Sequence, residues 1–142
     1  MGSINFFSAD ITFNPKGKKK IRLWIQDVLK KEKTDNYDFI NIIFCSDSFL
    51  MDINRRFLNH DYYTDIITFK DAGTDNHFEG ELYISIDRIK ENCQKLRVSF
   101  QKELYRVIIH GILHLCGYKD KRKKEKQLMR SSENRYLQNV EF

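Results

Sequence analysis

Apolar positions along the chain change their period several times, and each change marks an element. Residues 4–7 and 11–13 are short β-prone pieces on either side of Asp10. Asn14 and Pro15 then read as a helix start, Asn as the capping side chain and Pro at the first helical position. From 16 to 33, Ile21, Trp24, Ile25, Val28 and Leu29 recur at helical spacing, which predicts an amphipathic helix with its lysines mainly off the apolar stripe. Residues 39–45, rich in Ile and Phe, predict a strand. Ser46, Asp47 and Ser48 offer caps for a helix that carries Leu50, Met51 and Ile53 and ends at Leu58 and Asn59. Residues 64–69 predict a second strand and 70–78 a polar loop. In 79–86, Leu82, Ile84 and Ile86 alternate with Tyr83 and Ser85, as in a strand with one packed face. A helix over 87–97 follows, and Ser99 is placed to cap the next one.

That next helix, over 100–116, differs from the others. Leu104, Ile108, Ile112 and Leu115 form one stripe, and Val107, Ile109 and Leu113 fill the flanks. A helix apolar nearly all round is buried. His110 and His114 fall near the face opposite the stripe, beside Glu103, and Gly117 supplies the residue that commonly ends a helix. A last helix follows, with Leu128, Met129, Tyr136 and Leu137 on one face and Glu125 and Glu133 along it. Helices before, between and after three or four strands predict an α+β (α/β) fold, a small mixed sheet packed by several helices with the histidine helix at its centre. With one proline and no internal repeat, residues 1–142 read as a single domain.

Composition changes this picture little. Lysine and arginine exceed the acids by 25 to 20, a net charge of +5 that mildly favours a polyanionic partner such as RNA. Cys45, Cys93 and Cys116 are odd in number and widely spaced, which predicts reduced thiols and a cytoplasmic protein. No apolar run is long enough to span a bilayer, and the start of the chain does not read as a signal peptide.

The candidate chemistry lies in the run from His110 to Asp120. Residues four apart on a helix share a face, so His110 and His114 can grip one cation, Zn²⁺ being the usual occupant of such sites. Asp120, three residues past the helix-ending Gly117, is placed to be the third ligand, with His60 and His77 as alternatives in polar surroundings. Two histidines buried without a shared metal would instead need carbonyls or acids as partners, since an unsatisfied buried polar group costs about 1–3 kcal/mol. Gly111 is costly inside a helix, and close approach of a strand or of substrate accounts for it. Cys116 reads as a small buried apolar residue rather than a ligand. Lys119, Lys121, Arg122 and Lys123 open a basic run that reads equally as a phosphate-holding surface and as a solvated one.

The pattern H-x3-H-x2-G-x2-D resembles the zinc signature of metzincin proteases, with Gly111 in place of their catalytic Glu and Asp120 in place of their third His. The whole run HGILHLCGYKD is also similar to the signature HGxLHLxGYDH of YbeY-type ribosomal RNA maturation factors, with Lys119-Asp120 in place of Asp-His. Residues 64–69 resemble that family's T-[DN]-V-[LI]-[ST]-F strand, and 80–85 its G-D-I-x-I-S strand with Glu81 for Asp. Family members commonly carry an Arg three residues before the acid that matches Asp61; here Leu58 holds that place, with Arg55 and Arg56 nearby.

The resemblance implies a zinc-dependent, single-strand-specific endoribonuclease acting at the 3′ end of 16S ribosomal RNA and in ribosome quality control, with RNA and the ribosomal particle as partners. It implies one metal per chain on His110, His114 and Asp120, and a metal-bound water as the catalytic group, since three protein ligands leave a fourth tetrahedral position. A non-catalytic, metal-stabilised assembly factor that binds RNA is the alternative. A metalloprotease is disfavoured by Gly111.

Overall fold

In a computed structural model of the chain, which describes residues 2–60 and 62–142, five helices pack on a four-stranded mixed sheet. The order along the chain is β1 (Ser3–Ser8), α1 (Lys18–Lys31), β2 (Tyr37–Cys45), α2 (Asp47–Leu58), β3 (Ile66–Ala72), β4 (Phe78–Ser85), α3 (Ile86–Leu96), α4 (Phe100–Leu115) and α5 (Lys123–Leu137). The sheet order is β1-β2-β4-β3. β1, β2 and β4 are parallel, while β3 and β4 form an antiparallel pair in which Ile66 faces Ile84. The fold is α+β, as the sequence pattern predicts.

The two central strands, each with neighbours on both edges, turn one face into the core and leave alternate residues such as Asn41, Glu81 and Tyr83 part-exposed on the other. Ile40, Ile42 and Phe44 of β2 and Leu82 and Ile84 of β4 are fully buried. They meet Ile108, Ile112 and Leu115 of α4 in one core that also takes Ile21, Ile25 and Leu29 from α1. α4 lies against the sheet so closely that a Cβ on Gly111 would stand 2.6 Å from Ile66 Cδ1 and 2.7 Å from Leu82 Cδ2. The glycine is there for close approach of strands, the first of the two reasons its position suggested.

Local signals place most element ends. The Ser46 hydroxyl accepts from the Phe49 amide, Ser85 from Arg88 and Ser99 from Lys102, each satisfying an amide that has no partner within its helix. Three expectations are corrected. The helix expected to start at Asn14-Pro15 begins at Lys18, after Gly17 in a left-handed conformation (φ 69°). Residues 11–13 form no strand: the Phe13 amide and carbonyl both bond the Ser8 hydroxyl, and the Phe13 ring packs edge-on against Phe44. The loop expected over 70–78 is also shorter, because β3 runs on to Ala72 and β4 starts at Phe78.

Candidate metal centre

The site is built where α4 ends. Cys116 caps the helix, Gly117 turns left-handed (φ 99°), and the amides of Gly117 and Tyr118 bond back to His114 O and Leu113 O at 3.0 Å each. This paired closure satisfies the last carbonyls of the helix and reverses the chain. Two groups thereby return to α4: the Tyr118 carbonyl, 2.9 Å from His114 Nδ1, and the Asp120 carboxylate. From the other side α5 supplies Glu133, whose Oε2 lies 2.7 Å from His110 Nδ1.

These partners determine which ring nitrogens remain available. A backbone carbonyl only accepts, so His114 Nδ1 carries the hydrogen and Nε2 presents a lone pair. The Glu133 carboxylate holds His110 in the same tautomer. Both Nε2 atoms and Asp120 Oδ2 then converge: Nε2 to Nε2 is 3.1 Å, His110 Nε2 to Oδ2 3.2 Å and His114 Nε2 to Oδ2 3.3 Å. Three acceptors at such separations repel unless a positive charge, a proton on one imidazole or a metal ion, lies among them. A tetrahedral Zn²⁺ with bonds of about 2.0–2.1 Å holds its ligands about 3.3 Å apart, so the triangle has the right size for a metal. Among the described residues, His110, His114 and Asp120 are the group able to hold an ion. Both partner types foreseen for buried histidines are present, a carbonyl and an acid, but they bind Nδ1 and leave Nε2 for the metal.

Charge around the triangle is balanced by α5 and α4 together. Burial disfavours the His110 imidazolium, yet the hydrogen bond and charge of Glu133, helped by Asp120 and Asp65, hold its pKa above the usual value. Glu133 is only 6% exposed; its burial is outweighed by His110 and by Arg106, 3.0 Å away, and its pKa stays below normal. Burial pushes Asp65 upward against the charge of His110, and pushes Glu103 upward with Asp65 adding to it.

Two clefts meet at the site. One, about 560 Å³, lies among α3, α4 and α5 and includes Lys95, Arg106, Lys126 and Arg130. The other, about 630 Å³, lies between the end of α2, β3 and the loop after α4, and includes Asn54, His60, Tyr62 and Lys121. Asp65, His110 and Asp120 border both.

The residues singled out from sequence thus separate. His110, His114 and Asp120 come together. His60 borders the second cleft with its Nδ1 bonded to the Tyr62 hydroxyl, and His77 is held by Asp38 at 3.0 Å; neither joins the triangle. Lys121 reaches a cleft, whereas Lys123 lines a groove along α5 with Lys126 and Arg130. Lys119 is exposed, and Arg122 starts α5 with its amide bonded to Glu125. Arg56 pairs with Asp52 at 3.2 Å in an aromatic groove on the other side of α2, and Arg55 lies on the exposed face of that helix. Neither borders the two clefts at the metal site. Asp61, the acid of the family pattern, lies outside the described residues. Asp65 and Glu133 were missed as site residues. The signal for Glu133 was an acid in the stripe formed by Met129, Tyr136 and Leu137, where an apolar residue would be expected.

Fold and site together define a class: a small α+β protein that brings two histidines and an aspartate, a group that could hold a metal ion, together at the end of its central helix. Residues 3–141 match the family model described as Endoribonuclease YbeY. The chain is 47% identical to the Endoribonuclease YbeY of Cytophaga hutchinsonii, covering 95% of this chain and 94% of that one. It is 42% identical to that of Flavobacterium psychrophilum, covering 92% of each. A solution structure of a Thermotoga maritima protein superposes with a TM-score of 0.64 at 29% identity, covering 95% of this chain and 87% of that one. The chain belongs to the YbeY endoribonuclease family. No helix among the described residues is long and apolar enough to cross a membrane.

Proposed function

We propose that this chain is a zinc-dependent, single-strand-specific endoribonuclease that matures ribosomal RNA at the 3′ end of the 16S species and serves ribosome quality control, with residues 1–142 forming one metal-dependent hydrolase domain. The observation that carries the reading is the triangle of His110 Nε2, His114 Nε2 and Asp120 Oδ2, 3.1–3.3 Å on a side, set where two clefts meet, each lined by both basic and acidic side chains.

His110, His114 and Asp120 would hold the ion. When bound, it supplies Lewis acidity at a phosphoryl oxygen and lowers the pKa of water. Glu133 and the Tyr118 carbonyl orient the two imidazoles and keep a hydrogen on each Nδ1. Lys121 in one cleft and Lys126 in the other carry charges that attract phosphates on either side of the centre. A site open along two clefts suits a strand that passes through, as internal cleavage requires. The three cysteines are unpaired, in keeping with a reducing compartment, and the cytoplasm is the location we propose.

The test is cleavage of single-stranded RNA and of pre-ribosomal particles by protein of measured zinc content. Activity should vanish on chelation and return with Zn²⁺, with one metal per chain by elemental analysis. Retention of RNA binding with no metal-dependent cleavage of either substrate would identify a non-catalytic assembly factor instead.

A further inference from the structure

The loop after α2 carries an arrangement that metal binding does not use. Tyr62 is 56% exposed and borders the same cleft as His110, His114 and Asp120. Its ring lies nearly parallel to that of His60, with centroids 5.1 Å apart and planes at 23°, and its hydroxyl is 2.9 Å from His60 Nδ1. The pair is anchored from beneath by Asn54, a polar side chain of α2 that is 1% exposed. Asn54 Nδ2 donates to Tyr62 O at 2.9 Å, and Asn54 O accepts from the His60 amide at 3.1 Å. Asn59, left-handed at φ 54°, turns the chain between them. The neighbouring Tyr63 is already engaged, with the Arg88 guanidinium 5.5 Å from its ring centroid.

An exposed tyrosine needs no explanation by itself. A tyrosine stacked on a histidine, with its backbone held by a buried asparagine, is a preorganised flat surface. We propose that Tyr62, braced by His60, is a base-stacking subsite for a nucleotide next to the one at the metal centre. The proposal rests on the ribonuclease reading and adds a specificity determinant to it. An aromatic ring stacks on any base but needs its open face, which a base within a duplex does not offer. The subsite therefore selects unpaired RNA and tolerates sequence, while Lys121 in the same cleft takes up backbone charge.

The test uses a single-stranded 2′-O-methyl oligoribonucleotide, which keeps bases and phosphates, and the same backbone with abasic residues, which keeps only the phosphates. Binding to the zinc-loaded full chain is read by fluorescence anisotropy. Tyr62→Ala should weaken binding of the intact oligonucleotide by about five- to a hundredfold, while Tyr62→Phe, which keeps the ring, stays within about twofold of wild type. The abasic strand should bind wild type and Tyr62→Ala equally. Equal affinity of wild type and Tyr62→Ala for the intact strand would overturn the subsite, as would an equal loss on both strands. If the wild type bound neither strand and cleaved no RNA, the ribonuclease reading itself would fail; that outcome is read from the wild type alone.

Discussion

Glu133 occupies a core position of α5 although it is charged, and its two oxygens are divided between Arg106 and His110. A carboxylate behind a ligating histidine orients the ring and raises its basicity, and its loss typically costs about 10–100-fold in metal affinity. Glu133→Gln should show a drop of that order in a zinc titration, with circular dichroism reporting that the fold is kept. An unchanged affinity would reduce Glu133 to a partner of Arg106. At Asp120 the expectation is directional: Asn should bind zinc more weakly because the anionic oxygen is lost, and His should retain binding because an imidazole nitrogen reaches zinc at a similar distance. On the surface, reversing Lys121 and Lys123 to Glu should weaken RNA binding and flatten its salt dependence, since fewer counterions are released. Identical slopes across a salt titration would return both lysines to solvent. The convergence of His110 and His114 was legible because i,i+4 spacing is local. Glu133 was not, since nothing in sequence shows that α5 folds back on α4 twenty-odd residues later.

The central element is α4, and its seating on the sheet depends on a side chain that is missing. Gly111→Ala would put a methyl group against the side-chain ends of Ile66 and Leu82, the second of them fully buried. Overpacking costs about 1–3 kcal/mol, against which alanine regains about 0.5–1 kcal/mol of helix propensity. The variant should therefore be net destabilised by about 1 kcal/mol, a drop in melting temperature of about 2–5 °C by calorimetry. A rise would mean that the helix can shift to make room. Serine caps made the starts of α2 and α4 legible, because each hydroxyl acts on an amide three residues away. The start of α1 was misread because Asn14-Pro15 has the right chemistry while Gly17 has the left-handed backbone that delays the helix. Residues 11–13 looked like a strand because they are apolar, but Phe13 is apolar in order to pack on Phe44 and Phe100.

At the scale of the molecule, the candidate metal centre joins α4 to the loop after it, with Glu133 of α5 behind it, so loading with an ion should be felt globally. Zinc that binds only the folded chain stabilises it by mass action. Chelation should lower the melting temperature and stoichiometric Zn²⁺ restore it; coincident melts with and without chelator would argue that the triangle holds no ion. A second global expectation concerns acid. Asp38 accepts from the Thr74 amide at 2.7 Å, the largest cause of its lowered pKa, and from His77 Nδ1, so it ties β2 to the turn between β3 and β4. A carboxyl depressed on folding contributes stability above its unfolded pKa, about 3.9, and loses it as pH falls through the lower folded value. Melting temperatures of wild type and Asp38→Asn should thus differ at neutral pH and converge in strong acid. The sheet order was the least legible part of the fold. An Ile- and Phe-rich run identified β2 and an alternating run β4, but nothing local to either run says that the two pair.

The contact beneath Gly111 also bears on how chemistries diverge on one helix. A protease with the same ligand spacing carries its catalytic Glu at this position. Here the first carbon of any side chain meets Ile66 and Leu82 within 2.7 Å. Gly111→Glu would crowd Ile66 and Leu82 while adding a carboxylate, and should be less stable than the parent chain. Exchange between the two activities therefore carries a packing cost at this position, one that smaller side chains at Ile66 and Leu82 should relieve.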